Sequence, residues 1–179
     1  MKKNISILIA ASLSMLLISC GNEKQKMQDQ ISSSEQKLKN DSTTTVIDKQ
    51  KAADVIHQYL AYADKFQDDS MSAEYLFRAA DVTNGIRQPD KAIELYQRVQ
   101  RFQTYSKAPI ALFLQGFIAE TELRDTQKAK EYYEKFLKQY PNHNLANDVQ
   151  VTLANLGKSP EELIKEFEAK AKGDSLVMR

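Results

Sequence analysis

DKAIELYQRV (residues 90–99) and QKAKEYYEKF (127–136) lie 37 residues apart and align without a gap. Lys91 falls on Lys128, Ala92 on Ala129, Glu94 on Glu131, Tyr96 on Tyr133 and Val99 on Phe136. Upstream, EYLFRAA (74–80) falls on ALFLQGF (111–117) at the same offset, with Ala79 on Gly116. Two separate elements matching at one offset mark an internal repeat, and a period in this range points to stacked supersecondary units.

The units read as helices. Val55, Ile56, Tyr59, Leu60, Ala63 and Phe66 form an amphipathic stripe that Tyr62 widens. Asp68-Asp69-Ser70 breaks it and offers a cap for a helix over about 71–84, which stops near Asn84-Gly85. Pro89 suits a first helical position, opening a helix to about Gln103. Ser106 is placed to cap the next helix, with Pro109 in its first turn. Asp125 is placed to cap 126–140, and Asn142 to cap about 143–156, which Gly157 closes. Ser159-Pro160-Glu161-Glu162 is a capping box. That makes about seven helices, with no sustained two-residue alternation. Gly and Pro are scarce, at 5 and 4, which also favours helix.

At these residues the chain resembles the tetratricopeptide (TPR) family. In that pattern a small residue on the first helix of a hairpin packs against an Ala early in the second. An aromatic follows four residues later, a small or apolar residue three after that, and Pro ends the unit. Gly116, Ala129, Tyr133, Phe136 and Pro141 match it, as do Ala79, Ala92, Tyr96 and Val99, with Thr104 standing for the Pro. The departures are a 37-residue period rather than 34, one extra residue between Gly116 and Ala129, and Leu112 and Ala119 where the family has Trp and Tyr. The resemblance implies an all-α, TPR-like α-solenoid of about three helical hairpins over residues 46–172, with a tail over 173–179. Residues 46–69 then form the second helix of a partial leading unit, and 159–172 that of a trailing one.

The resemblance also implies a function. Stacked hairpins present a groove, lined by first helices, that holds a protein or peptide partner. Carried over from Ala79 and Gly116, the groove positions are Leu76, Ala80, Thr83, Phe113, Phe117, Glu120, Asn147 and Gln150. Phe113 and Phe117 share a helix face. Either they anchor a partner, or a register shifted by one residue buries both in the hairpin.

LLISCGN (16–22) decides the amino end. Met1-Lys2-Lys3-Asn4 is a short positive leader, and Ile5 to Ser19 is an uncharged apolar run of 15 residues. A membrane span needs about 20, so the run fits the apolar region of an export signal. Leu17-Ile18-Ser19-Cys20 resembles the bacterial lipoprotein lipobox. That implies a signal peptide over 1–19, cleavage between Ser19 and Cys20, and a diacylglycerol thioether on Cys20, with an acyl chain such as palmitate on its amine. An uncleaved anchor is the alternative. The lipid would hold the protein in the cell envelope, most simply on the outer membrane facing the periplasm. Residues 20–45 are polar, with Met27, Ile31 and Leu38 as the large apolar residues, and read as a flexible tether. Its 25 residues after Cys20 would span roughly 25–30 Å. In a rival reading, Met27, Ile31, Ser34 and Leu38 form a weak heptad seam.

A lipobox, a polar segment and units ending FLKQYPNH (136–143) together resemble exported TPR proteins of the bacterial envelope. Two such kinds are the TPR lipoprotein of the β-barrel assembly machine and the TPR protein associated with the Tol–Pal system. That implies a role in outer-membrane protein assembly or envelope maintenance.

Composition narrows the alternatives. Loss of residues 1–19 lowers Lys+Arg from 25 to 23 against 24 Asp+Glu, so the formal charge passes from +1 to −1. That argues against nucleic acid as a partner. GxxxxGK[ST], HExxH and GxSxG motifs are absent, so the sequence implies neither an enzyme nor a cofactor. His57 and His143 lack the spaced companions of a metal site. Asp68-Asp69 fits a helix end better than a catalytic pair. A solute-binding or enzymatic lipoprotein is the competing function; a closed pocket with convergent polar groups would mark it.

Cys20→Ala tests the anchor. Metabolic labelling with a fatty acid is expected to mark the wild-type protein and not the variant; equal label in both would contradict the lipobox reading.

Overall fold

Helices begin where the chain offers an acceptor for otherwise unpaired N–H groups. The computed structural model describes residues 22–39 and 47–177. Its helices are α1 (22–39), α2 (Lys49–Lys65), α3 (Ser70–Gly85), α4 (Pro89–Val99), α5 (Ala108–Thr121), α6 (Thr126–Gln139), α7 (Ala146–Asn155) and α8 (Pro160–Val177). Asp48 accepts from the Gln50 and Lys51 amides at 2.8 and 3.1 Å, Asp69 from Met71 at 2.7 Å, and Asp125 from Lys128 at 2.9 Å. The Ser159 capping box closes in both directions: the Ser159 amide donates to Glu162, and the Glu162 amide to Ser159 Oγ. Those two bonds hold the Glu162 carboxyl below its usual range.

Some boundaries differ from the sequence reading. α4 ends at Val99 rather than near Gln103. Lys107, not Ser106, precedes α5 and makes no side-chain cap. Ahead of α7 the chain turns through Tyr140–Leu145, and His143 Nδ1, not Asn142, accepts from the Leu145 amide. α8 continues through the expected tail as far as Val177.

The larger correction lies at residues 20–45. Residues 22–39 are helical, not a flexible tether. The face expected only as a weak seam makes the contact. Ile31 is 2% exposed, and Met27, Ser34 and Leu38 are half-buried. α1 runs antiparallel to α2: Glu23 pairs with Lys65, Gln28 donates to Tyr62, and Ser34 accepts from Gln58. Ser19 and Cys20, with the cleavage and lipid-attachment expectations, lie outside the described residues, as do 40–45.

The described residues are all-α, in eight helices without a strand, as a TPR-like α-solenoid requires. The helices group into two compact units, one ending at Tyr105 and the other beginning at Ser106. In the first, α3 packs on α2 and on α4. Arg78 adds α1 by bridging Glu74 on α3, at 2.7 Å, and Glu35 on α1, at 2.8 Å. In the second, α6 packs on α5 and α7.

The repeat positions lie at the helix contacts. Ala79, Ala92, Ala129, Tyr133 and Phe136 are fully buried and Tyr96 is 2% exposed. Pro141 follows the end of α6, where the pattern puts it. The enlarged turns share a backbone feature: Arg87 and Arg124, 37 residues apart, have φ of 64° and 55°. A side-chain-bearing residue there costs roughly 1–2 kcal/mol.

Gly116 fixes one hairpin's spacing. A Cβ added there would come within 2.6 Å of the Tyr133 ring. That ring is fully buried and its hydroxyl donates to Glu120 at 2.7 Å, so it has little freedom to yield. Gly116→Leu is expected to cost about 1–3 kcal/mol or more, and Gly116→Ala to destabilise measurably. Lys130→Leu, on the exposed side of α6, is expected to change stability by no more than about 0.5 kcal/mol. Thermal unfolding of residues 21–179 distinguishes them; equal melting of all three would contradict this hairpin register.

Candidate partner-binding face

The second unit carries an aromatic surface on α5. Phe113 is half-buried and Phe117 is 45% exposed. Their rings stack at 6.1 Å with planes 28° apart. Phe113 also meets Tyr133 at 6.1 Å, so α6 supports the pair from beneath. Helical spacing explains the arrangement: Gly116 and Leu112 face inward, and Phe113 and Phe117 flank them on one outer edge. Glu120, one turn on, is half-buried and holds the Tyr133 hydroxyl. The surface therefore combines an exposed ring, a supporting ring and a carboxylate.

The remaining groove positions divide. Asn147 and Gln150 are exposed on α7. Leu76 and Ala80 are fully buried, and Thr83 is 3% exposed. Those three pack the core and do not line an accessible groove. α3 has α2 on one side and α4 on the other, so the face carried over from the family is closed there. Val151 and Ile164, at 62% and 58% exposed, are surface apolar residues the pattern did not mark. Val151 is one turn beyond Asn147 and adjacent to Gln150 in the chain, which was the available signal.

His57 is exposed, and His143 packs edge-on against Phe136 at 5.6 Å. Among the described residues no cluster of His, Cys, Asp or Glu is suited to a metal, and no helix is long and apolar enough to cross a membrane.

The tyrosines form a recurring device. Tyr59 on α2 donates to Glu35 on α1 at 2.6 Å, Tyr96 on α4 to Asp81 on α3, and Tyr133 on α6 to Glu120 on α5. These tyrosines are spaced 37 residues apart, so Tyr59 extends the repeat one unit towards the amino end. Tyr105 adds a fourth bond of this kind, to Glu74 at 2.5 Å. Burial, then the carboxylate partner, raises the phenols of Tyr59, Tyr96, Tyr105 and Tyr133 well above their ordinary value. Burial, then the Asp69 charge, pushes Tyr62 up to about 12. Tyr75, Tyr132 and Tyr140 are raised chiefly by burial.

Residues 110–143, which run from the first turn of α5 through α6 to His143, match the tetratricopeptide repeat family model. No curated protein matches the chain. Repeats of this family typically serve as protein-interaction scaffolds, and the matched segment supports such a role here.

All eight tyrosines are raised, which sets the direction of alkaline stability. Below pH about 10 tyrosine is neutral in both folded and unfolded chains. Above it the unfolded chain loses its protons first, so folding stability falls as pH rises from about 10 through the higher folded values. Tyrosinate absorbance is expected to stay low past pH 10 and then rise steeply together with loss of the helical circular dichroism signal. Gradual ionisation centred near pH 10 with helix content unchanged would contradict this burial.

Proposed function

We propose that the protein is a lipid-anchored scaffold of the bacterial cell envelope that grips a protein partner on the α5 surface. The observation carrying the proposal is Phe117: a large aromatic, 45% exposed, stacked on Phe113 within the segment that matches the family. An aromatic held at the surface by a rigid neighbour suits a partner's apolar side chain, because little side-chain freedom is lost on binding. Glu120, one turn away, offers a polar limit to such a contact.

The anchor half of the proposal rests on the sequence: the leader, the apolar run and Leu17-Ile18-Ser19-Cys20. Acylation of Cys20 would hold the scaffold on a membrane, and two or more chains make that attachment stable. An outer-membrane, periplasm-facing scaffold suits assembly or maintenance of that membrane. The lipobox together with the repeat supports this reading.

Phe117 sets the test. Phe117→Ser removes an exposed ring and is expected to leave the melting temperature nearly unchanged. A photo-crosslinker at Gln150, on the same unit, is expected to trap one discrete protein in intact cells, and Phe117→Ser to abolish the adduct. An undiminished adduct in a folded Phe117→Ser protein would contradict this surface.

A further inference from the structure

We propose that one pole of the first unit lies directly in the lipid headgroup layer, so that the anchored protein has a fixed face towards the bilayer. The inference rests on the Cys20 anchor proposed above. It replaces a body held clear on a flexible tether with one seated on the membrane.

The argument starts from where α1 begins. Asn22 is already helical, and Gly21 is the one residue between it and Cys20. Two residues of extended chain reach about 7 Å. The headgroup region of one leaflet is roughly 5–8 Å deep, taking a bilayer of about 40–45 Å around a core of about 30 Å. A diacylglyceryl sulfur sits at the base of that layer, so the start of α1 cannot stand clear of it while α1 remains docked.

The contacts of α1 determine what else comes to that level. Glu23 pairs with Lys65 at the end of α2. Lys24 pairs with Asp69 and lies over the Phe66 ring, 5.5 Å from its centroid. The Lys24 bond and the Met71 amide hold the Asp69 carboxyl below its usual range, against the effect of burial. These contacts fasten the start of α1 to the α2–α3 turn. That turn shares an open cavity of about 460 Å³ with the chain leaving α4, lined by Gln67, Asp68, Arg101, Phe102, Gln103 and Thr104. The antiparallel helices bring these segments to one end of the unit: Tyr96 near the end of α4 meets Asp81, and Tyr105 beyond it meets Glu74 near the start of α3.

The chemistry of this pole suits headgroups. Amides, a hydroxyl and Arg101 offer hydrogen bonds to phosphate and glycerol oxygens, and half-buried Phe102 offers a ring to the interface. Its charges are nearly balanced, with Glu23 on Lys65, Asp69 on Lys24, and Asp68 on the same rim as Arg101. Chain length, rather than net charge, therefore sets the seating, which should survive high salt.

The test uses the full lipidated protein, extracted in detergent and reconstituted into vesicles of phosphatidylethanolamine and phosphatidylglycerol. Lys91→Cys, in the first turn of α4, and Gln103→Cys, beyond its carboxyl end, carry an environment-sensitive fluorophore at exposed sites separated by at least the roughly 12 Å of helix axis between Lys91 and Val99. A lipid with a spin label on its headgroup is expected to quench the Gln103→Cys probe several-fold more than the Lys91→Cys probe, at low and high salt alike. Equal or negligible quenching of both, in protein that floats with the vesicles, would overturn the seating while leaving the anchor intact. Protein that fails to float and carries no fatty-acid label would overturn the anchor, and the seating with it.

Discussion

A tyrosine on the second helix of each hairpin, donating its phenol to a carboxylate on the first, is the contact on which this fold depends. It occurs at Tyr59–Glu35, Tyr96–Asp81 and Tyr133–Glu120. Burying an aromatic side chain contributes about 1.5–3 kcal/mol, and a hydrogen bond to a charged group about 1.5–3 kcal/mol more. The ring also requires a small residue opposite. Gly116 meets that need at Tyr133, where even a methyl group would collide. Helix spacing, first-helix register, the seating of Phe113 on Tyr133 and the outward turn of Phe117 follow from that one close approach.

The extent of sequence legibility follows from the same contact. The second helices were readable because their pattern is local: Ala92, Tyr96 and Val99, then Ala129, Tyr133 and Phe136, sit at fixed helical spacing. The caps at Asp69 and Asp125 were readable for the same reason, since each bonds an amide two or three residues away. α1 was not. It carries one fully buried large apolar residue, Ile31, and the rest of its docking is polar and distant in sequence, as in Glu35 with Tyr59 and Arg78. Composition alone cannot distinguish such a helix from a solvated linker. Tyr59 held the missing clue, being 37 residues before Tyr96.

The candidate surface was legible in part. Family spacing pointed to Phe113 and Phe117 but could not decide between surface and core. The structure turns Phe117 outward and rests Phe113 against Tyr133. The same spacing pointed to Leu76 and Thr83, which are buried because α3 has a helix on each side. Packing around a whole unit decides which face stays open, and that information is not local.

Hydrogen exchange of the backbone amides in residues 22–39 tests the central claim most directly. A hairpin closed by Ile31, Glu35 and Tyr59 predicts that amides in the middle of α1 are protected and exchange with the core of α2, through opening of the same unit. Exchange across 22–39 at the rate of an unstructured chain, with α2 still protected, would contradict it.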